Sequence, residues 1–166
     1  IRNKTELAAA GMGANPDEAE RVARWVLGAP AAGNPALLGA SLSSRPTEVG
    51  APTDSSSPGG HAHFLRHARR PALVYVGASD QMVHAFAAQD TEVRGVRWAA
   101  GSEVFAFIPP DLLPHVRQLW LQAGQKPNPA QHVWGVAGSP RAMDVCVSGC
   151  SDEKTALWKT LLAIAE

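Results

Sequence analysis

One pair of residues in this 166-residue chain could perform acid–base chemistry. Asp80 and His84 lie four residues apart in "ASDQMVHAF", so the carboxylate could orient the imidazole as a general base. No nucleophile stands near the pair in the sequence, and the chain has no Gly-x-Ser-x-Gly elbow. We therefore predict that Asp80 bonds backbone amides in a turn, that His84 packs in a strand, and that the protein is not an enzyme. Asp144 is likewise expected to be a structural carboxylate within a strand. We expect it to bond a neighbouring blade, that is, a neighbouring small antiparallel sheet.

The histidine-rich segment "HAHFLRHARR" raises the question of a metal site. His63 and His67 have the spacing of one helix face. However, Arg66, Arg69 and Arg70 add positive charge, and no carboxylate is interleaved with the histidines. This composition is typical of a solvated basic segment rather than of a metal site, and we expect no metal ligand here.

The only two cysteines, Cys146 and Cys150, stand in "CVSGC". A hairpin loop at the Ser-Gly pair would bring their Cα atoms within about 7 Å, which is the limit for a disulfide. Two interpretations stay open: a disulfide, which requires an oxidising compartment, and two free thiols in a cytosolic protein. A zinc site is disfavoured because no second pair of ligands has the necessary spacing.

The composition restricts the class of protein. Lys+Arg and Asp+Glu both total 15, and a net charge of zero argues against a nucleic-acid binder. The 45% hydrophobic content is enough for a core, and the length favours one domain. No apolar run approaches the roughly 20 residues of a membrane-spanning helix. Since the chain begins at Ile1 and ends in "LLAIAE", we expect it to be a piece of a longer protein.

Two helices and a mobile loop are predicted from local patterns. Asn15 can cap a helix that begins at Pro16, and Glu18 completes a capping box. The segment "PDLLPHVRQLWLQAG" predicts a second helix, with Pro114 tolerated in its first turn. The composition of residues 51–70 predicts a mobile loop.

The region after Pro71 is predicted to be mainly β. Residues 72–77 and 82–87 should form a hairpin around "ASDQ". Further strands are expected at residues 45–50, 103–109, 132–138, 141–148 and 156–165, and a connecting loop at 91–102. Residue types in the last strand fit a helix equally well, but the hairpin signal before it favours a strand. Repeated groups of three or four short antiparallel strands are typical of propeller blades.

The segment "RPALVYVGASDQMVHAFAA" resembles the blade signature of the PilY-type proteins, which are large surface proteins of bacterial type IV pili. Their pattern is R-P-x-V-V-Y-V-G-A-N-D-G-M-L-H-A-F-D-A. Four more segments resemble family stretches in the same order: "LLGASLSSRPTEVGAP" before it, then "GSEVFAFIPPDLLPHV", "VAGSPRAMDV" and "WKTLLAIAE". The resemblance covers about Leu37 to the end of the chain. We expect its marker residues to be mostly fold determinants: Tyr75, Gly77, Asp80, His84, Phe86, Phe107, Pro109, Ser139, Pro140 and Trp158.

The resemblance implies a fold and a role. The fold would be a partial β-propeller of about two blades of antiparallel strands, with a short N-terminal helix and an inter-blade helix. Residues 1–36 would form the N-terminal helix and a linker, and residues 37–166 the propeller. The protein would be secreted to the cell surface or pilus tip, where it would contact minor or major pilins in pilus assembly, adhesion and twitching motility. Its surface ligand is unspecified, and its location would favour a Cys146–Cys150 disulfide.

The sequence departs from the family pattern at three positions. Gln81 replaces the glycine of the turn. Because positive φ is unfavourable for residues with a side chain, we expect this turn to be either of another type or strained. Ala87 and Ala137 replace carboxylates that the relatives have. The family's D-x-D-x-D-G calcium loop does not occur in these 166 residues, so calcium is expected only elsewhere in a longer parent protein.

Two other functions would fit a propeller of this kind. A quinoprotein dehydrogenase holds pyrroloquinoline quinone and calcium between its blades. It would need adjacent cysteines and acidic ligands, whereas the cysteines here are not adjacent and acidic residues are sparse in the predicted blades. A generic interaction scaffold predicts the same fold, so only its partners would distinguish it from a pilus protein.

Overall fold

The computed structural model describes residues 3–28, 38–52, 59–123, 125–126 and 134–165. These residues form mainly small antiparallel sheets with a few helices, so this level of the fold prediction is confirmed. In chain order the elements are α1 (Lys4–Ala9), α2 (Pro16–Val26), β1 (Thr47–Val49), α3 (Gly60–His67), β2 (Leu73–Gly77), β3 (Val83–Ala87), β4 (Thr91–Val93), β5 (Val96–Trp98), β6 (Glu103–Phe107), α4 (Leu113–Gln122), β7 (Arg141–Ser148) and β8 (Leu157–Ala163). A single 3₁₀ turn at Pro110–Leu112 leads into α4.

The main sheet has four antiparallel strands in the order β1-β2-β3-β6. Its centre is the predicted hairpin, with β2 and β3 paired from Leu73↔Ala87 to Gly77↔Val83. Alternate residues of β3 point into the core, and Ala85 is fully buried. The β2–β3 hairpin prediction is therefore confirmed.

A second hairpin interrupts the main sheet between β3 and β6. β4 and β5 pair antiparallel, so the prediction of a connecting loop over residues 91–102 is wrong. Arg94 and Gly95, with φ of 52° and 78°, form the turn between them. Two consecutive residues with positive φ are typical of the two-residue turns that suit the twist of a hairpin.

Two other sequence predictions fail in the described residues. The predicted strand 132–138 is not a strand over residues 134–138, where the Gly138 N–H donates to the Ala165 carbonyl at 2.9 Å instead of joining a ladder. Residues 60–67 form α3 within the segment expected to be a mobile loop. Burial of His63 against the sheet gives this helix a tertiary contact that composition does not reveal.

The N-terminal helices pack on α4. Asn15 caps α2 as predicted, because its Oδ1 accepts a hydrogen bond of 2.9 Å from the Glu18 N–H. The Glu18 carboxylate accepts from the Ala14 N–H rather than from Asn15, and its other oxygen pairs with Arg117 of α4 at 2.8 Å. The interface between these helices contains a first hydrophobic core, whose buried residues are Met12, Val22, Ala23 and Val116.

A second core lies between the sheet and the C-terminal half. Val83, Leu112 and Val136 form its buried centre. Ile108 packs against both cores, so the core between the helices is continuous with the core next to the main sheet.

The last two strands, β7 and β8, pair antiparallel as a separate hairpin. The predictions of strands 141–148 and 156–165 are confirmed by β7 and β8. Cys146 and Cys150 are joined in a disulfide with a Cα–Cα distance of 5.7 Å, which pins the end of β7 to the turn after it.

Several predicted features lie outside the described residues. They are the linker at 29–36, the centre of the Ser/Gly/Pro segment at 53–58, the glycine at 124 that was expected to end the second helix, and the first part of the predicted strand 132–138.

Close backbone contact at Gly77 generates a stability prediction. A Cβ at this position would lie 2.4 Å from the Val136 carbonyl oxygen, so Gly77→Ala should force the strand and the core apart. We expect a loss of about 1–3 kcal/mol of unfolding free energy, measured by urea denaturation. Gly50→Ala is the matched control, because its Cβ would meet Ala72 at ordinary contact distances, 3.5 Å from its Cβ and 4.0 Å from its Cα. Equal unfolding midpoints for the two variants would refute this packing.

Candidate functional site

The candidate site begins at the β2–β3 turn. The Ala78 N–H donates to the Met82 carbonyl at 3.0 Å, and Asp80 Oδ1 accepts from the Met82 N–H at 3.2 Å. Gln81 adopts a φ of 74° and is fully buried, so of the two expected alternatives the strained turn is the one that forms. The surrounding packing holds Gln81 in a backbone conformation that residues with a side chain otherwise disfavour.

The same turn binds the chain segment around Gly39. Asp80 Oδ2 accepts from the Gly39 N–H at 2.5 Å, and Ser79 Oγ accepts from the Ala40 N–H at 2.9 Å. A Cβ on Gly39 would lie 2.5 Å from the Asp80 nitrogen, so only glycine permits this approach. Asp80 therefore accepts hydrogen bonds from the backbone amides of Met82 in its own turn and of Gly39 in the adjacent segment, as predicted for a turn carboxylate.

His84, on β3, lies between two carboxylates. Its Nε2 is 3.0 Å from Asp80 Oδ2 and 3.1 Å from Asp80 Oδ1. Its Nδ1 is 2.6 Å from Oε1 of Glu103, the first residue of β6. The His84 side chain is only 5% exposed, and its ring stacks on Phe86 with centroids 6.1 Å apart.

This geometry favours the protonated form of the His84 ring. Ionised carboxylates only accept hydrogen bonds, so each ring nitrogen must carry a hydrogen to bond its partner. The ring is then an imidazolium with two charge-assisted hydrogen bonds. Burial alone lowers the pKa of the His84 imidazole, but the hydrogen bonds to Asp80 and Glu103 outweigh burial and raise that pKa above its ordinary value.

Both ring nitrogens of His84 are engaged by carboxylates in this structure. A doubly protonated imidazole has no lone pair with which to take a proton. In the described parts of the chain, no group of three or more His, Cys, Asp or Glu side chains is arranged to hold a metal ion. What the cluster does physically is to hold together three segments: the hairpin turn, β6 and residues 39–40.

A second polar cluster joins α3 to the β7–β8 hairpin. His63 is 3% exposed, and its Nε2 lies 3.6 Å from Asp144 Oδ1. Asp144 Oδ1 accepts a hydrogen bond of 2.5 Å from Thr160 Oγ1 on the paired strand, so this partner is within the same sheet rather than in a neighbouring blade. The prediction that this histidine belongs to a solvated segment is therefore wrong.

Arg70 extends this cluster to β1. Its Nη1 donates to Thr160 Oγ1 at 2.6 Å, and its Nε donates to the Gly50 carbonyl at 2.6 Å. A second donor, Nη2, also bonds the Gly50 carbonyl. One guanidinium therefore links the end of β1 to β8.

The other marker residues are distributed over the fold rather than gathered at one site. Ser139 Oγ accepts from the Arg45 N–H at 3.0 Å, and the Pro140 carbonyl accepts from Thr47 Oγ1 at 2.7 Å. Four more residues occupy separate places: Tyr75 packs edge-on against Phe105, Trp158 stacks on His63, Pro109 is buried before the 3₁₀ turn, and Phe107 is 53% exposed on β6.

Sequence reasoning missed Glu103 and His63 as members of these clusters. Glu103 lies 19 residues from His84, and only the β3–β6 register, in which Phe86 pairs with Glu103, brings the two side chains together. His63 lies in a segment with several arginines, and its burial depends on a helix that the composition did not predict.

Comparisons with other proteins provide no family for this chain. The scan of family models, the search of curated proteins and the search of solved structures each found no match. Among the described residues, no helix has both the length and the apolar character that crossing a membrane demands.

The raised pKa of His84 predicts a pH dependence of stability. A raised folded-state pKa adds stability that is fully present below the ordinary value of 6.5 and is lost as the pH rises through the folded-state value. We therefore expect the stability difference between the wild type and His84→Gln to shrink from mildly acidic to mildly alkaline pH, as measured by chemical denaturation. His115→Gln, which removes an exposed imidazole from α4, is the control for the loss of a histidine as such. A His84 difference that grows with pH would contradict the assignment.

The links made by Arg70 predict that lysine cannot replace it. The planar guanidinium of Arg70 donates to the Gly50 carbonyl and to Thr160 Oγ1 at the same time, and a lysine ammonium lacks this geometry. Arg70→Lys should therefore lose about 1–2 kcal/mol of unfolding free energy. Arg69→Lys changes the adjacent exposed arginine and should stay within about 0.5 kcal/mol of the wild type. Thermal unfolding at constant pH compares the two, and similar shifts in both would count against the Arg70 link.

Proposed function

We propose that this chain belongs to a non-catalytic surface protein of the PilY type, which acts in type IV pilus biogenesis, tip adhesion and twitching motility. It would do so by binding a minor or major pilin and a surface ligand. The observation that carries the proposal is the set of five sequence segments, from Leu37 to the end, that resemble the family in the family's order.

The structure supports this proposal because residues of different resembling segments bond one another. Asp80 in the hairpin segment bonds Gly39 in the first segment, and His84 bonds Glu103 in the third. Arg70 similarly bonds Thr160 in the last segment. Motifs that maintain one fold are expected to make such contacts.

We infer further that the strands are parts of propeller blades. A blade is a four-stranded antiparallel sheet, and the sheet β1-β2-β3-β6 has four antiparallel strands that are neighbours in chain order, apart from the inserted β4–β5 hairpin. The β7–β8 pair would belong to a second blade, and α4 would be the helix between the two blades.

A binding role is favoured over an enzymatic one by the state of the candidate site. His84 bonds carboxylates with both ring nitrogens, so it is not available as a base. The Cys146–Cys150 disulfide supports a secreted location, since disulfides persist mainly in oxidising compartments. These properties fit a surface protein that functions through contacts.

Purification of the native protein that contains this chain provides the functional test. The protein would be isolated by affinity from material sheared off the surface of the producing cells, and its companions identified by mass spectrometry. An unrelated surface protein, purified in the same way from the same material, is the control. We expect pilin subunits to accompany this protein and to be depleted in the control.

The absence of pilin enrichment would overturn the pilus proposal. In that case the denatured sample decides between the alternatives. A released quinone would establish the dehydrogenase alternative, and enrichment of other proteins without a quinone would favour a generic interaction scaffold.

A further inference from the structure

A cleft of about 590 Å³ lies on the face of the main sheet next to the C-terminal end of α2. Its described lining includes residues of β3 and β6 together with Leu27 and Leu38. The volume falls in the range of about 300–1,000 Å³ that is typical of small-molecule sites. The cleft is therefore large enough for a small organic ligand.

The walls of the cleft are mostly apolar and partly uncovered. Its described apolar lining includes Met82, Phe86, Val104, Phe105 and Ile108. Leu27 is 76% exposed, so burying it would release water from apolar surface. An apolar ligand body, and above all an aromatic one, would be stabilised there.

The polar groups of the cleft favour a cation. Glu103 and His84 are the titratable side chains among its described lining residues. Together with Asp80, which bonds the same ring, they form a cluster of two carboxylates and one imidazolium with a net charge of −1. Glu103 is the more exposed carboxylate, with 45% of its side chain accessible. The last turn of α2 adds the partial negative charge of a helix C-terminus at Val26–Gly28.

We propose that this cleft binds a small ligand that has an apolar, preferably aromatic, body and one cationic amine. The ammonium group is held by Glu103 and by the C-terminal end of α2, and the body packs against Phe86 and Leu27. The pilus role proposed above neither requires nor supplies this site, so either can fail without the other.

Three ligands of similar shape and different charge test the proposal. They are 2-phenylethylammonium, the neutral 2-phenylethanol and the anionic 3-phenylpropionate, titrated into the full 166-residue chain and followed by NMR chemical shifts. We expect the amine to bind at least about tenfold more tightly than the alcohol, since a charge-assisted hydrogen bond is worth about 1.5–3 kcal/mol. The shifts should concentrate on β3, β6 and the end of α2.

Glu103→Gln separates the charge from the fold. The glutamine oxygen can still accept the hydrogen bond from His84 Nδ1, so the variant should remain folded while it loses the negative charge. We expect the amine's advantage over the alcohol to fall to about threefold or less, because the charge-assisted contact is gone. Glu92→Gln, on exposed β4, makes the same change of net charge away from the cleft and should leave the advantage intact.

A second variant tests the cleft independently of charge. Ala106 is exposed and lines the cleft, so Ala106→Trp should fill it and weaken the amine and the alcohol alike. Ala163→Trp on exposed β8 is its control. The proposal is overturned if none of the three ligands binds up to its solubility, if the amine has no advantage, or if the advantage survives in Glu103→Gln.

Discussion

The imidazole of His84 joins carboxylates from two separate parts of the chain inside a nearly closed environment. Asp80 reaches it from the hairpin turn and Glu103 from the edge strand β6. A buried charge is costly unless it is paired and hydrogen-bonded, so the ring and both carboxylates must keep these positions together. Because Asp80 also bonds the Gly39 N–H, one buried ring fixes the turn, the fourth strand and the segment before β1.

The rest of the fold is connected by contacts of the same kind. Arg70 joins β1 to β8, and Asp144 and Thr160 join the two strands of the last hairpin below His63. Apolar packing provides the continuity between these polar links, since Ile108 contacts both cores. Residues that would be candidates for catalysis in isolation thus form connections between segments, and the cleft beside His84 is the place where such a connection also borders open apolar surface.

Local structure was predictable from the sequence wherever a short segment determined its own conformation. The Asn15 cap and the β2–β3 hairpin follow from residue types within a few positions of each other. Features that depend on distant partners were not predictable. Glu103 meets His84 only through strand register, and His63 is buried only because α3 packs on the last hairpin. The β4–β5 hairpin has a local signal, because Gly95 lies in its turn and β-branched residues flank the turn. Each of its strands has only three residues, which is too short for a clear alternating pattern.

The central claim is that His84 is a structural imidazolium rather than a base. Nitrogen-15 NMR of the folded chain at neutral pH tests it most directly, because the shifts of the two ring nitrogens distinguish a doubly protonated ring from each neutral tautomer. The account predicts that both ring nitrogens of His84 carry hydrogens. A neutral His84 ring with one unprotonated nitrogen at neutral pH would contradict the account and return this residue to the candidates for acid–base catalysis.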